Sequence, residues 1–77
     1  MLTIKWIDEK LQSLGIGEIV TTSKAAAVLK IQARTIRKKQ AEGKIPREYE
    51  ESAIRGCVTR AGLVKWLYAE PRFLARL

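Results

Sequence analysis

The sequence predicts a mainly α domain, a small α+β chain of short helices with one short β segment. Three observations predict it. Apolar residues recur at helical spacing in four stretches, each with a capping residue or a glycine or proline stop nearby. Tyr49, Cys57 and Val58 suit short strands in the later part of the chain. The chain is 77 residues long, enough for a single domain that buries about 60–65% of its unfolded surface. That leaves no room for both a core and a large substrate cleft.

The first helix is expected from Thr3 to about Leu14. The Thr3 hydroxyl suits the N-cap, and Ile4, Ile7, Leu11 and Leu14 form one apolar stripe. Asp8, Glu9 and Gln12 lie off the stripe, and Gly15 and Gly17 end the helix. The stripe packs on the core; the same spacing is also a heptad seam for a dimer. A second helix starts at Thr21 or Thr22. With Thr21 as cap, Val20 and Ala25 hold the staple positions, and Ala25, Ala26 and Leu29 make a narrow face of mostly small residues. Lys24, Ala27 and Lys30 point away from it.

A third helix runs from Gln32, where a cap would sit, to about Glu42; Gly43 and Pro46 stop it. Ile36 and Gln40 share one side, with Ala33 near them. Arg34, Arg37, Lys38 and Ala41 share the other. Residues 45–59 admit two readings. Arg47–Glu51 and Cys57–Thr59 suit two short strands, whereas Pro46, Glu48, Glu50, Glu51, Arg55 and Gly56 suit a helix over 46–55. A last helix follows Thr59 to about Tyr68 or Ala69, with Leu63, Trp66 and Leu67 as its apolar face. Gly62 weakens it by about 1 kcal/mol relative to Ala. Pro71 ends or kinks it, and Phe73, Leu74 and Leu77 add a further turn on the core or fray.

Composition narrows the function. Apolar residues make up 47% and charged residues 30%, which fits a globular domain and not a disordered tail. No apolar run approaches the roughly 18 residues of a membrane span, and the N-terminus reaches Asp8 and Glu9 too soon for a signal peptide. Fifteen Lys and Arg against eight Asp and Glu give +7. That excess favours a polyanionic partner, nucleic acid before an anionic membrane. No helix pairs a broad apolar face with a basic one, so a membrane-surface role fits poorly.

Catalysis, metal binding and cofactors are not expected. The single cysteine, Cys57, reads as a buried small hydrophobe in a reducing, cytoplasmic setting, and there is no histidine to activate a thiol or bind zinc. Glu48, Glu50 and Glu51 have no apolar pocket to raise a carboxyl pKa. Gly15-Ile16-Gly17 lacks the rest of a phosphate-cradling loop. Trp6 and Trp66 are assigned to core or interface, because aromatics are too few for a base-stacking platform.

Two short helices joined by a tight turn, the second with a basic outer face, describe a helix-turn-helix. Between Lys30 and Arg47 stand seven cations and one acid, Glu42. A helix fits the major groove of duplex DNA; the Arg fork matches guanine, and Lys serves phosphate as a point charge.

Three segments in order carry a family resemblance. They are Val20-Thr21-Thr22-Ser23-Lys24-Ala25-Ala26-Ala27-Val28-Leu29-Lys30-Ile31, then Gln32-Ala33-Arg34-Thr35-Ile36-Arg37-Lys38, then Glu42-Gly43-Lys44-Ile45-Pro46. Val58-Thr59-Arg60 with Leu63, Trp66 and Leu67 looks like the closing segment. Over about Val20 to Leu67 the chain resembles the excisionase and MerR-like winged helix-turn-helix domains. The resemblance implies a winged helix-turn-helix with a short β-hairpin wing over about 45–59, to which the helix expected over 3–14 is an extra N-terminal element. It implies a DNA-binding regulator or a recombination directionality factor; a ligand-sensing activator of the full MerR type is not expected, since no effector domain is evident. Arg34, Arg37 and Lys38 match the DNA-facing positions and are the candidate base contacts. Lys30, Gln32, Thr35, Lys39, Lys44, Arg47 and Arg55 are the candidate phosphate contacts, with Lys38 serving either role and Thr35 equally suited to packing or capping.

The chain departs from the family pattern at three places. Lys30 holds the turn position usually given to Gly, so it takes a left-handed conformation or the turn differs. Lys39 replaces an aromatic; its stem can cover the core edge while its ammonium reaches solvent or phosphate. The wing is longer and carries Glu48, Glu50 and Glu51, leaving Arg55 and Arg60 as its basic residues. Expected partners are double-stranded DNA, a second copy in a dimer or side by side on DNA, and a recombinase or other DNA-bound protein. The N-terminal stripe and Phe73-Leu74-Leu77 are the candidate contact surfaces, and a nucleoid-associated place in the cytoplasm follows. Two other classes compete: a protein-interaction module docking to a larger protein, and a nonspecific nucleic-acid-binding domain.

Overall fold

A computed structural model describes residues 2–45, 56–75 and 77. It contains helices α1 (Ile4–Ser13), α2 (Thr22–Leu29), α3 (Ala33–Ala41) and α4 (Arg60–Ala69), with strands β1 (Ile19–Thr21) and β2 (Cys57–Thr59). A 3-10 turn, Pro71–Leu74, follows α4. The architecture is mainly helical with a two-stranded antiparallel sheet.

Local hydrogen bonds explain where the helices start. Thr3, Thr21 and Thr59 lie in extended backbone, and their hydroxyls accept the N–H of Trp6, Lys24 and Gly62 at 3.0, 3.1 and 3.0 Å. Each satisfies one orphan donor of a first turn. Gln32 occupies the N-cap of α3 in backbone terms, but its side chain makes no capping bond.

Three helices end the same way. Ile16 N–H donates to Leu11 O, Ile31 N–H to Ala26 O, and Lys44 N–H to Lys39 O, at 3.0, 3.0 and 2.9 Å. The residue before each donor is left-handed: Gly15 at φ +89°, Lys30 at φ +60° and Gly43 at φ +77°. This is the Schellman ending, which glycine adopts without strain and lysine does not. Lys30 therefore takes the left-handed alternative at the turn between α2 and α3.

The described sheet contains a pairing not expected from the sequence. Cys57–Thr59 is a strand, but its described partner is Ile19–Thr21, in the register Ile19↔Thr59, Val20↔Val58, Thr21↔Cys57. The other expected wing strand, Arg47–Glu51, and the rival helix over 46–55 lie outside the described residues. β1 and β2 each feed a helix, and each supplies that helix's capping threonine. The ladder continues into both helix starts: Thr22 N–H donates to Gly56 O at 2.8 Å and Arg60 N–H to Glu18 O at 3.0 Å. Two more orphan donors are thus satisfied from the opposite chain segment.

The core joins Ile7 and Leu11 of α1, Ile16, Val20, Ala25, Ala26 and Leu29, Ile36 of α3, Ile45, Val58, and Leu63, Val64, Trp66 and Leu67 of α4. Val20 and Ala25 are both buried, as the staple requires. The stripe of α1 is narrower than its spacing suggests, since Ile4 and Leu14 are exposed. Ile7 and Leu11 are fully buried within the chain, so the two central residues of a heptad seam are already used. Trp66 is a core residue; Trp6 is about half exposed and is not. Cys57 is half-buried, less than its expected burial, because it lies at the end of β2 nearest the chain entry.

Arg60 is not a wing cation. Its Nε donates to Asp8 at 2.8 Å and its Nη1 to Ile16 O at 3.3 Å. It clasps the start of α4 to α1. The hydrogen bonds from Arg60 and then Gln12 hold the Asp8 carboxyl below its ordinary value.

Candidate nucleic-acid interface

α2 and α3 pack against each other across a three-residue turn, Lys30-Ile31-Gln32. The small face of α2 makes this close approach possible: Ala25 and Ala26 are buried beside Leu29. Val28, Ile31 and Ala33 pack around them as partly buried neighbours. The two helices are thus packed as a pair joined through a short turn.

α3 divides into two faces. Ile36 is fully buried and Ala33 and Gln40 are half-buried. Gln40 Nε2 donates to Cys57 O at 3.2 Å and ties α3 to β2. On the outer face, Arg34, Arg37, Lys38 and Ala41 are all exposed. The side chains of Arg34, Arg37 and Lys38 show no hydrogen bond or ion pair among the described residues. α3 itself contains no acidic residue. Three cations are therefore presented outward around one small side chain, and nothing on their own helix neutralises them.

The candidate phosphate residues divide. Lys30 and Gln32 are exposed at the turn, and Thr35 is half-buried in the first turn of α3, its own N–H donating to Gln32 O at 2.9 Å. Lys44 is exposed just past α3 and pairs loosely with Glu42 at 3.8 Å; such exposed pairs hold only weakly. Arg47 and Arg55 lie outside the described residues.

Lys39 departs from the expected phosphate role. Only 9% of the residue is exposed, and its Nζ lies 3.3 Å from both carboxylate oxygens of Glu70. It also sits 5.8 Å from the centre of the Phe73 ring. The physical reason is position: Lys39 is one turn after Ile36, on the same side of α3, and its stem must cross the core edge. Its ammonium is turned toward the end of α4 rather than toward solvent.

Glu70 is the residue that sequence reasoning missed. It accepts from the Trp66 indole N–H, from Lys39, and from Arg72 at 3.5 Å. The indole hydrogen bond first, and those from Lys39 after it, hold the Glu70 carboxyl below the usual carboxylate range, while desolvation works against them. The one sequence signal was local: Trp66 and Glu70 stand four apart, on one face of a helical turn.

Comparison with protein-family models, with curated proteins and with solved structures finds no match for this chain. No described helix is long and apolar enough to cross a membrane. Phe73, Leu74 and Leu77, read as a contact surface, are partly buried and pack on the core.

Proposed function

We propose that this protein binds double-stranded DNA, with α3 entering the major groove. The reading treats it as an excisionase-like recombination directionality factor or a small transcriptional regulator of the winged helix-turn-helix kind. One observation carries it: α3 follows α2 across a three-residue turn, and its outer face consists of Arg34, Arg37, Lys38 and Ala41, all exposed. The three cations have no intramolecular partner among the described residues.

The chemistry follows from that face. A small residue amid long cationic ones lets a helix sit deep in a groove. Arg34 and Arg37 reach base edges, where the planar guanidinium matches guanine O6 and N7. Lys38 serves either a base or a phosphate. Lys30 and Lys44, at the two ends of α3, together with Gln32 and Thr35, hold the phosphate backbone and fix register. One such unit contacts few base pairs, so two copies on adjacent sites are expected.

The test is selection of bound fragments from genomic DNA, followed by titration of the best fragment against scrambled duplex. Preference of about 10³-fold or more supports sequence-specific recognition, and the fragment's position separates an attachment site from a promoter. Equal affinity for both duplexes overturns it in favour of a nonspecific nucleic-acid-binding domain.

One observation favours a second reading, a protein-interaction module. Ile4 and Trp6 of α1 are each about half exposed, as is Tyr68 of α4. In that reading α1 docks a larger protein, and charge reversal on α3 spares the complex.

A further inference from the structure

The cluster around Glu70 has no direct part in holding DNA, yet it grips the helix proposed to do so. α3 has one fully buried apolar anchor, Ile36. On one flank of Ile36, Gln40 donates to Cys57 O at 3.2 Å. On the other flank, Lys39 Nζ reaches Glu70 at 3.3 Å. Glu70 is itself held by the Trp66 indole, and the Trp66 ring packs 4.6 Å from the Phe73 ring, centre to centre.

A largely buried Lys–Glu pair is a poor way to gain stability. Desolvation offsets most of its attraction, and an apolar pair of similar size would pack as well. Its better attested use is to fix orientation. Apolar contact is non-directional, whereas a hydrogen bond weakens outside a window of about half an ångström. A helix held by Ile36 alone can roll about its axis. A roll of about 20° moves side-chain atoms some 5–6 Å from the axis by about 2 Å. That displacement breaks a bidentate contact to a base edge.

We propose that Lys39 and Glu70 are positioning residues: with Gln40 they set the roll of α3, and thereby the base preference of Arg34 and Arg37, without touching DNA. The inference rests on the DNA-binding reading above. It also predicts that the pair acts on specificity more than on overall affinity, because a rolled α3 still presents its cations to phosphate.

The experiment compares wild type with the double variant K39M/E70Q on the selected fragment and on scrambled duplex, over a range of salt. The methionine side chain refills the space of the lysine stem, and the glutamine carbonyl oxygen still accepts from the indole. The expected result is a retained thermal transition, an unchanged salt slope, and a loss of target preference of tenfold or more. Preference within twofold of wild type overturns the inference. A salt slope smaller by about 0.9 also overturns it, because Lys39 would then be neutralising a phosphate itself. If the double variant does not fold, Q40M carries the test; it removes the opposite strut, leaves the ion pair, and must show the same loss of preference. A wild type that prefers no fragment removes the DNA reading and this inference together. A wild type with clear preference, beside variants that keep it, removes only the inference.

Discussion

Replacing Lys30 with glycine should make the protein more stable and its grip on DNA weaker. Lys30 sits at φ 60°, ψ 42°, close to the centre of the left-handed region. A side chain there costs about 1–2 kcal/mol. Glycine removes that cost but is freer in the unfolded chain, which takes back roughly 0.4–1 kcal/mol. The net gain is about 0.7 kcal/mol, or a rise of about 3–5 °C in Tm for a domain of this size. Gly15 and Gly43 are internal references, since both hold the same position in the same helix ending with a left-handed φ. Thermal unfolding by circular dichroism reads the stability, and a salt titration on duplex DNA reads the function. The titration should show weaker binding and a slope smaller by about 0.9, because one phosphate cation is gone. An unchanged or lower Tm for K30G would refute the assignment of strain to Lys30.

Other perturbations have defined outcomes. I36A removes the one fully buried anchor of α3 and should cost about 2–5 kcal/mol by chemical denaturation. T21A should cost about 1 kcal/mol, and T59A nearer 2 kcal/mol because Thr59 is buried and the Gly62 N–H it caps loses its partner away from water. Asp8 is held below its ordinary pKa by Arg60 and Gln12. A depressed folded-state pKa gives stability that is present above the unfolded value of about 3.9 and lost as pH falls through the lower folded one. Tm should therefore drop below about pH 4, and D8N should flatten that drop over the same range.

Much of the fold was legible because its causes are local. Thr3, Thr21 and Thr59 cap through bonds three residues long, and Gly15 and Gly43 stop helices through their own backbone freedom. The exposed face of α3 was legible for the same reason, since spacing alone separates Arg34, Arg37 and Lys38 from Ile36. What was not legible depends on distant partners. Ile19–Thr21 is only three residues long and becomes a strand by pairing with Cys57–Thr59. Arg60 finds Asp8 across 52 positions, and Lys39 finds Glu70 across 31. A charged residue reads as exposed until its counter-charge is located, so the burial of Lys39 needed the fold. The hints were its place beside Ile36 on the wheel and its substitution for an aromatic in the resembled pattern.

The most direct test of DNA recognition through α3 is charge reversal on its outer face. Wild type and R34E/R37E would be titrated against the selected duplex at several salt concentrations, with Tm measured in parallel. Five exposed cations stand on α3 and at its ends: Lys30, Arg34, Arg37, Lys38 and Lys44. At about 0.9 per neutralised phosphate, the three that can serve phosphate, Lys30, Lys38 and Lys44, contribute about −2 to −3 to the log–log salt slope of wild type. R34E/R37E should keep the wild-type Tm within a few degrees and lose DNA binding by at least 10³-fold. A folded R34E/R37E that binds the duplex as tightly as wild type would contradict it.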